Sequence, residues 1–344
     1  MRSPLLRVSL CLALLQTGCA ANRLPSPPPI ALPAACSMAA ASAWIERWLA
    51  AWELTSQEIL RLPEAPAPEM LFYDSACIYT TSAVSAGGAP PVAGPLWRGA
   101  KLPWRALAHD GALTLPDGSR VPVALMSFTN ATPETGPFFV MAAPAFWVEN
   151  GHGEEPGLTG VFLHEFAHTR QVAGMGARIA PIDAAWEPPG ELNDDAVQKR
   201  FADDPEYVAA YLGERDLLYR AAAAASLAEA RSLAAEALAS MRERRARWFT
   251  GESAVFAEVD DIFLAMEGVG QWAAYAWLAR PEGGALDREA AIAKMLGRRK
   301  WWVQDEGLAL LLAVDRLLPE WPALEFSVPA LGAEPLLERA VAAR

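Results

Sequence analysis

The sequence predicts an α+β fold, in which a small N-terminal antiparallel or mixed sheet is followed by a mostly helical half. Two patterns indicate this division. Between residues 71 and 147, short runs rich in aromatic residues and threonine are separated by turns that contain Gly and Pro, which is typical of strands. From residue 158 onward, apolar residues recur at helical spacing in one segment after another. With 344 residues, 53% of them hydrophobic, the chain is long enough to bury a large core.

The first residues are typical of an export signal. Arg2 and Arg7 accompany an apolar run over residues 8–15, which is too short to span a bilayer. A positive start followed by a short apolar run is how secretory signals are built. We therefore predict a signal peptide over residues 1–18.

Cys19 follows directly, and the pair Gly18-Cys19 resembles a bacterial lipoprotein cleavage site. Gln16 departs from the aliphatic residue that is usual at the third position before such a cysteine, and ordinary cleavage one or two residues later is the alternative. If Cys19 is lipidated, the Pro-rich residues 19–36 form a spacer between the anchor and the folded domain. The protein is then expected in the cell envelope as a lipoprotein that faces the periplasm.

The cysteines that remain after processing leave two interpretations open. Cys11 and Cys19 belong to the signal region, so Cys36 and Cys77 are the two cysteines of the mature chain. In an oxidising compartment they could form a disulfide, and two buried free thiols are the alternative.

The net charge of the chain argues against two classes of binding partner. The chain carries −12 at pH 7 and has no glycine-rich loop of the kind that cradles phosphate. Nucleic acid and an anionic lipid surface are therefore not expected as main partners, because both attract basic proteins. Contact with a membrane is expected only through the lipid anchor.

One domain is predicted over residues 37–344. Its first half, residues 37–157, combines a helix with the sheet, and its second half, residues 158–344, is helical. The predicted helices of the second half cover residues 158–174, 205–225, 227–249, 253–279, 287–297 and 301–318.

The first half begins with a helix over residues 37–62. Trp44, Trp48 and Trp52 recur there every four residues, which predicts a stripe that faces the core. A platform for a ligand is the alternative interpretation of the three tryptophans.

The sheet half contains a predicted hairpin and a further strand. Residues 112–128 surround Asp117-Gly118, a pair that favours a tight hairpin turn. Residues 136–148 are a further predicted strand. Pro144 indicates that this strand lies at an edge of the sheet, because proline cannot donate a hydrogen bond to a neighbouring strand.

The histidine pattern is the strongest signal for chemistry. Of only four histidines, His164 and His168 stand four residues apart in a predicted helix, with Glu165 beside the first. Residues four apart project from the same face of a helix, so both imidazoles can bind one zinc ion. Glu165 can then take a proton from water at that site. A coincidental spacing is the alternative.

A hydrolytic zinc site usually has a third protein ligand. The other histidines, His109 and His152, lack the spacing for this role, and residue 174 is glycine where the extended motif has histidine. Glu267 is the best candidate, because it is the one charged residue in the apolar stretch 262–279. A lone buried carboxylate is costly unless it is paired or binds a metal.

The residues around Glu267 lead to one further prediction, and several alternative interpretations of the acids stay open. Gly268 and Gly270 are expected to let their helix approach the histidine helix closely, since glycine otherwise weakens a helix. The alternative to metal binding by Glu267 is an ion pair with an arginine. Glu214 is the second candidate ligand, although the charges beside it suggest an ordinary surface acid. Asp260 and Asp261 could orient a histidine, with exposed helix acids as the alternative.

These residues resemble the zincin metallopeptidases, and among them the gluzincin arrangement typified by thermolysin. In that arrangement two histidines and a glutamate from a later helix bind zinc, as His164, His168 and Glu267 would here. The resemblance covers the HEFAH motif and, less closely, the segment around Glu267. The separation between the motif and Glu267 is longer than in thermolysin, and the N-E-x-x-S-D context of that family is missing.

The resemblance implies a zinc-dependent peptidase that hydrolyses a peptide or protein substrate. Zinc would polarise the carbonyl group, and Glu165 would act as the general base. Tyr275 or His152 would stabilise the oxyanion, and a structural role is the alternative for both. An edge strand would lie over the metal helix, and residues 136–148 are the candidate for it.

Two other classes of function stay open. A non-catalytic envelope lipoprotein could use a structural metal site to hold its helices together. Such a site needs four protein ligands, however, and has no use for Glu165. A zinc hydrolase that acts on a non-peptide amide would rely on the same chemistry as a peptidase.

Overall fold

The computed structural model describes residues 36–186, 192–297 and 299–343. Within them the predicted α+β division is confirmed, with a small mixed sheet in the N-terminal part and helices dominating the rest. The signal peptide, Cys19 and the spacer up to residue 35 lie outside these residues, so their interpretation stays a prediction.

The helices are named in chain order. They are α1 Met38–Leu54, α2 Pro144–Glu149, α3 Gly157–Ala184, α4 Ala196–Phe201, α5 Pro205–Ala223, α6 Leu227–Trp248, α7 Phe256–Ala279, α8 Arg288–Leu296, α9 Trp302–Leu317, α10 Trp321–Glu325 and α11 Ala333–Ala342. All six helices predicted for the second half occur, as α3 and α5–α9, whereas α4, α10 and α11 were not predicted. Within the part of the chain that is described, no helix has the length and apolarity needed to cross a bilayer.

The strands are short. They are β1 Glu69–Tyr73, β2 Cys77–Thr80, β3 Leu96–Trp97, β4 Ala100–Lys101, β5 Arg105–Ala108, β6 Ala112–Thr114, β7 Arg120–Pro122, β8 Ser127–Thr132 and β9 Gly136–Ala142. Five of them form a mixed sheet in the order β5-β2-β1-β9-β8, in which only the β1–β9 pair is parallel. The predicted hairpin around Asp117-Gly118 is present as the antiparallel pair β6–β7.

The prediction of an edge strand over residues 136–148 is wrong. β9 occupies an inner position, paired with β1 on one side and with β8 on the other. Pro144 lies beyond the strand and begins α2, where a proline fits because the first residues of a helix need no N–H partner. The edge strand on this side of the sheet is therefore β8.

The tryptophan stripe of α1 packs against the core, as predicted. Trp48 and Trp52 are fully buried, and each ring lies 5.1 Å from a phenylalanine ring of α3 (Phe162 and Phe166, respectively). A disulfide between Cys36 and Cys77 joins the residue just before α1 to the start of β2. The sheet and α3 therefore pack against one face of α1. Of the two interpretations of Cys36 and Cys77, the disulfide is the one found in the structure.

Helix α3 is longer than the sequence predicted. We predicted a helix that ends at the glycine at position 174, yet the helix continues to Ala184. Gly174 has a packing role instead, because a Cβ atom there would lie 2.4 Å from the carbonyl oxygen of Ser327. The glycine allows the segment after α10 to cross α3 at close range. Gly174 therefore marks a contact with that segment and not the end of the helix.

Helix α7 lies between α3 and α9 and is buried along most of its length. Its contact with α9 is very close at Gly268, where a Cβ atom would lie 2.6 Å from the carbonyl oxygen of Gly307. Gly268 therefore serves the approach to α9 and not the approach to the histidine helix that we predicted for it. The layers run sheet, α3, α7, α9, and the metal-binding candidates lie at the α3–α7 contact.

Candidate metal centre

His164 and His168 lie side by side on the face of α3 that meets α7. Their Nε2 atoms are 3.3 Å apart, and both side chains are buried. This proximity follows from the four-residue spacing, which places the two rings one helical turn apart on the same face. The motif therefore directs two ring nitrogens to one point inside the protein.

Glu267 of α7 lies at the same point. Its Oε2 is 3.1 Å from His164 Nε2, and its Oε1 is 3.6 Å from His168 Nε2. Donor atoms of the three side chains all lie within 4.8 Å of one another, and this is the one such group found among the described residues. The structure thus brings the predicted ligands together as a buried group that could hold a metal ion.

Gly270 explains how α7 can come so close to α3. A Cβ atom at this position would lie 2.7 Å from His164 Nδ1, inside the contact distance of the ring. Of the two glycines beside Glu267, Gly270 therefore serves the approach to the histidine helix that the sequence predicted. His164 Nδ1 has no hydrogen-bond partner among the described residues.

The electrostatics favour the metal-binding protonation state of His168 and of Glu267. Burial lowers the pKa of His168 to about 4, so its imidazole is neutral at physiological pH. Burial acts to raise the pKa of Glu267, but His164, His168 and the amide of Gln304 together lower it below its ordinary value. Neutral imidazoles and an ionised carboxylate are the forms in which these side chains coordinate metals.

Side chains behind the group hold two of its members in place. Gln171 Oε1 lies 2.8 Å from His168 Nδ1, so an N–H on that nitrogen donates to the amide and leaves the Nε2 lone pair free. Gln171 in turn donates to Glu325 Oε1 at 3.4 Å, and Gln304 of α9 donates to Glu267 Oε2 at 3.2 Å. These partners constrain the orientation of the donors.

Sequence reasoning missed these supporting residues. Gln171 follows His168 by three residues, which is the one local signal that could have identified it. Glu325 and Gln304 come from distant segments and carry no local signal. Burial raises the pKa of the Glu325 carboxyl to about 8, so it is mainly protonated at neutral pH and adds little negative charge behind His168.

Glu165 follows His164 on α3, and its charge interacts with that of Glu267. It is buried, and its Oε2 has no hydrogen-bond partner among the described residues. Burial, followed by the negative charges of Glu267 and Asp194, raises its pKa well above the ordinary value. Thr129 Oγ1 of the edge strand β8 donates to the carbonyl oxygen of Glu165 at 2.6 Å, so the strand lies directly beside this acid.

Asp194 is a second acid near the group that sequence reasoning missed. It lies in the segment between α3 and α4, and burial, followed by the charge of Glu267, raises its pKa well above the ordinary value. Three carboxyl groups therefore interact at this point, which disfavours ionisation of all three at once in the absence of a cation.

Glu214, the second candidate ligand, belongs to another site. It is fully buried rather than a surface acid, and it accepts two hydrogen bonds from Arg244 at 2.8 and 3.2 Å. Asp260 also accepts from Arg244, and Asp261 pairs with Arg245 at 3.2 Å. The expectation that these aspartates are exposed is wrong, and neither of them orients a histidine.

The arginine cluster explains why these acids can be buried. Arg244 and Arg245 of α6 join carboxylates of α5 and α7, and the C-terminal helix α11 contributes Glu334. Removing one partner from a buried ion pair typically costs about 3–5 kcal/mol, because the other charge stays buried without compensation. Glu214 therefore has a structural role.

Tyr275, the candidate for oxyanion stabilisation, is half-buried on α7. Burial raises its pKa, and the charged groups that act on it are Arg288, Asp315 and Glu289. None of these belongs to the metal-binding group. The part of the structure that is described thus gives Tyr275 surroundings different from those of His164 and Glu267.

The two remaining histidines lie elsewhere. His109 Nε2 is 3.0 Å from the carbonyl oxygen of Asp74, and its Nδ1 accepts from the backbone of Gly111. His152 is half-buried in the loop between α2 and α3, where its backbone N–H bonds to Trp147. His109 closes a turn, and His152 is absent from the group of metal-binding candidates.

No protein-family model, no curated protein and no solved structure matches this chain. The geometry of the described residues therefore carries the functional argument.

Proposed function

We propose that this protein is a zinc-dependent peptidase. The observation that carries the proposal is the buried His164–His168–Glu267 group with Glu165 beside it, an acid whose Oε2 has no hydrogen-bond partner among the described residues. Buried acids normally have partners, and one that lacks them is costly unless it serves a function. An acid next to a set of metal donors is what metal-assisted hydrolysis requires.

The donor set favours zinc. Two imidazole nitrogens and one carboxylate oxygen form a common ligand set of hydrolytic zinc sites, which leave the fourth position of a tetrahedron open. Bonds of about 2.0–2.1 Å in a tetrahedron separate neighbouring donors by roughly 3.3 Å. The separation of 3.3 Å between the two histidine Nε2 atoms is close to that value. The two oxygens of Glu267 lie one near each histidine, Oε2 at 3.1 Å from His164 Nε2 and Oε1 at 3.6 Å from His168 Nε2.

When bound, zinc would supply Lewis-acid chemistry by polarising the carbonyl group and making water more acidic. Glu165 takes the proton from the attacking water and then donates it to the leaving amine. Its buried surroundings suit both steps, because a pKa raised above the ordinary carboxyl value helps one carboxyl group both accept and release a proton.

The edge strand β8 supports a peptide as the substrate. One edge of β8 pairs with β9, and the other edge has no strand partner within the described residues. An extended peptide can add to such an edge through main-chain hydrogen bonds. The Thr129–Glu165 hydrogen bond holds that strand beside the proposed general base. Because Ser127 and Thr129 are buried in this structure, a substrate would pair with β8 close to Glu165 only after this edge is uncovered.

The two rival functions have less support. A structural zinc site uses four protein ligands, whereas three donors converge among the described residues. Glu165 would also have no role in such a site. A hydrolase of a non-peptide amide would use the same metal chemistry but would not need the free edge of β8.

Metal removal tests the proposed function. Purified protein should contain about one zinc per chain and cleave unstructured peptides, because two histidines and Glu267 complete the ligand set. Treatment with 1,10-phenanthroline should stop cleavage, and added zinc should restore it. Cleavage that survives complete removal of the metal would contradict the proposal, as would fully zinc-loaded protein that cleaves simple amides but no peptide.

We also propose that the protein is exported and anchored in the cell envelope through Cys19. The signal-like residues 1–18 support this, and the Cys36–Cys77 disulfide fits an oxidising compartment. The mature protein should fractionate with membranes, and Cys19→Ser should release it or block its processing. Unchanged fractionation and mass in that variant would contradict the anchor.

A further inference from the structure

A large cavity opens on the side of α3 that faces the sheet. Its volume is about 660 Å³, within the range of roughly 300–1,000 Å³ that is usual for small-ligand sites. Aromatic side chains form much of its wall, namely Trp52, Trp97, Phe166 and Phe326. We call it the aromatic pocket. The metal donors His164 and His168 do not line it.

The aromatic pocket begins one helical turn beyond the proposed general base. Glu165, Thr169 and Val172 occupy positions i, i+4 and i+7 of α3 and therefore lie on one stripe of the helix. Thr169 and Val172 line the pocket. A substrate that follows this stripe away from Glu165 would reach the pocket within about 5–10 Å, at 1.5 Å per residue.

The edge strand β8 also runs from Glu165 to the aromatic pocket. Thr129 of β8 bonds to the backbone of Glu165, and Ala131, two residues further along the strand, lines the pocket. Residues two apart on a strand face the same side of the sheet. An extended chain rises about 3.3 Å per residue, so an extended peptide that lies along this path would cover the distance in two or three residues.

The chemistry of the pocket selects an uncharged, apolar occupant. Among the described residues that line it, the charged ones are Arg170 and Glu69, whose charges offset each other. Arg170 also donates to the carbonyl oxygen of Pro63 at 3.0 Å, which directs its guanidinium towards the rim. The remaining wall is aromatic, proline-rich or aliphatic, and burial there favours apolar groups by the hydrophobic effect.

We propose that the aromatic pocket is a specificity subsite that takes a large apolar side chain of the substrate, two or three residues away from the bond that is cut. The inference rests on the proposed peptidase function and adds the class of sequence that the protein prefers. Selectivity follows because burying one large apolar side chain contributes free energy that alanine at the same position cannot.

The test uses zinc-loaded protein and alanine-based peptides in which a single phenylalanine is moved through successive positions. kcat/KM should rise about tenfold when phenylalanine stands two or three residues from the cut bond, since burial of such a side chain is favourable. Ala173→Phe should fill the mouth of the pocket, where Ala173 is exposed and lines the wall, and should remove that preference.

Ala177→Phe is the matched control, because Ala177 is exposed on the same helix one turn further along and does not line the pocket. This variant should keep the preference. A preference that survives Ala173→Phe, or cleavage without preference at any position, would overturn the subsite while leaving the peptidase function intact.

Calorimetry separates failure of the subsite from failure of the function. The phenylalanine peptide should bind zinc-loaded Glu165→Gln protein about tenfold more tightly than the all-alanine peptide does, and Ala173→Phe should abolish the difference. If the wild type cuts no peptide but this binding difference is found, the pocket stands and the peptidase function fails. If the two peptides bind equally, the subsite proposal is overturned.

Discussion

Glu165→Gln should leave the metal in place and abolish most peptide hydrolysis. Loss of a general base typically lowers the rate by about 10² to 10⁴, and the amide of glutamine cannot take a proton from water. Metal content should not change, because the proposed donors are His164, His168 and Glu267. Zinc analysis beside kcat/KM for an unstructured peptide measures both effects in the same sample.

Stability gives this prediction a second readout. The Glu165 carboxyl is buried and its Oε2 lacks a partner among the described residues, so an uncharged amide of the same shape should not destabilise the fold. The thermal midpoint should equal or exceed that of the wild type. Glu149→Gln, a change at an exposed position on α2, is the control and should affect neither property. Wild-type cleavage by Glu165→Gln would end the hydrolase interpretation.

Glu267→Gln should deplete the metal. The substitution replaces a carboxylate ligand by a neutral amide, and the two remaining histidines hold zinc poorly. His164→Ala and His168→Ala should have the same effect. Because Glu267 has no arginine partner among the described residues, the metal-free protein should lose less stability than the metal-bound protein. Metal titration and thermal unfolding with and without zinc measure these quantities.

Glu214→Gln is the matched comparison for Glu267→Gln, since both acids are fully buried. Glu214 is bonded to Arg244, so its loss should cost about 3 kcal/mol in the free energy of unfolding and leave zinc affinity unchanged. Gln171→Leu should weaken zinc binding by about 10–100-fold, because it removes the partner that orients His168. Wild-type zinc affinity in Glu267→Gln, with weakened affinity in Glu214→Gln, would contradict the proposed ligand set.

The sequence allowed the donors of the candidate site to be predicted for two different physical reasons. His164 and His168 follow from helix geometry, which is local and places residues four apart on one face. Glu267 follows from burial, because a single charge in an apolar helix needs a partner. Neither reason depends on knowing which helices touch, and the structure brings the three side chains together.

Predictions that depended on which segments pack against a given strand, helix or side chain were less successful. Pro144 suggested an edge strand, but the strand ends before it and lies inside the sheet. Gly174 suggested a helix end, but it allows a close crossing by another segment. Glu214 appeared to be a surface acid, and only the position of Arg244 makes its burial possible. In each case the residue type is compatible with two structural roles, and its tertiary contacts determine which role it has.

The sequence by itself thus determined the α+β division, the tryptophan stripe of α1 and the three donor residues, because periodicity and the cost of a buried charge act within a single segment. Tertiary structure alone decided the strand order, the partners Gln171 and Glu325 behind His168, and the position of the aromatic pocket beyond Glu165. These features join segments that are far apart in the chain. A local pattern specifies which face of a segment is buried, but the residues that cover this face are chosen by the packing of the whole domain.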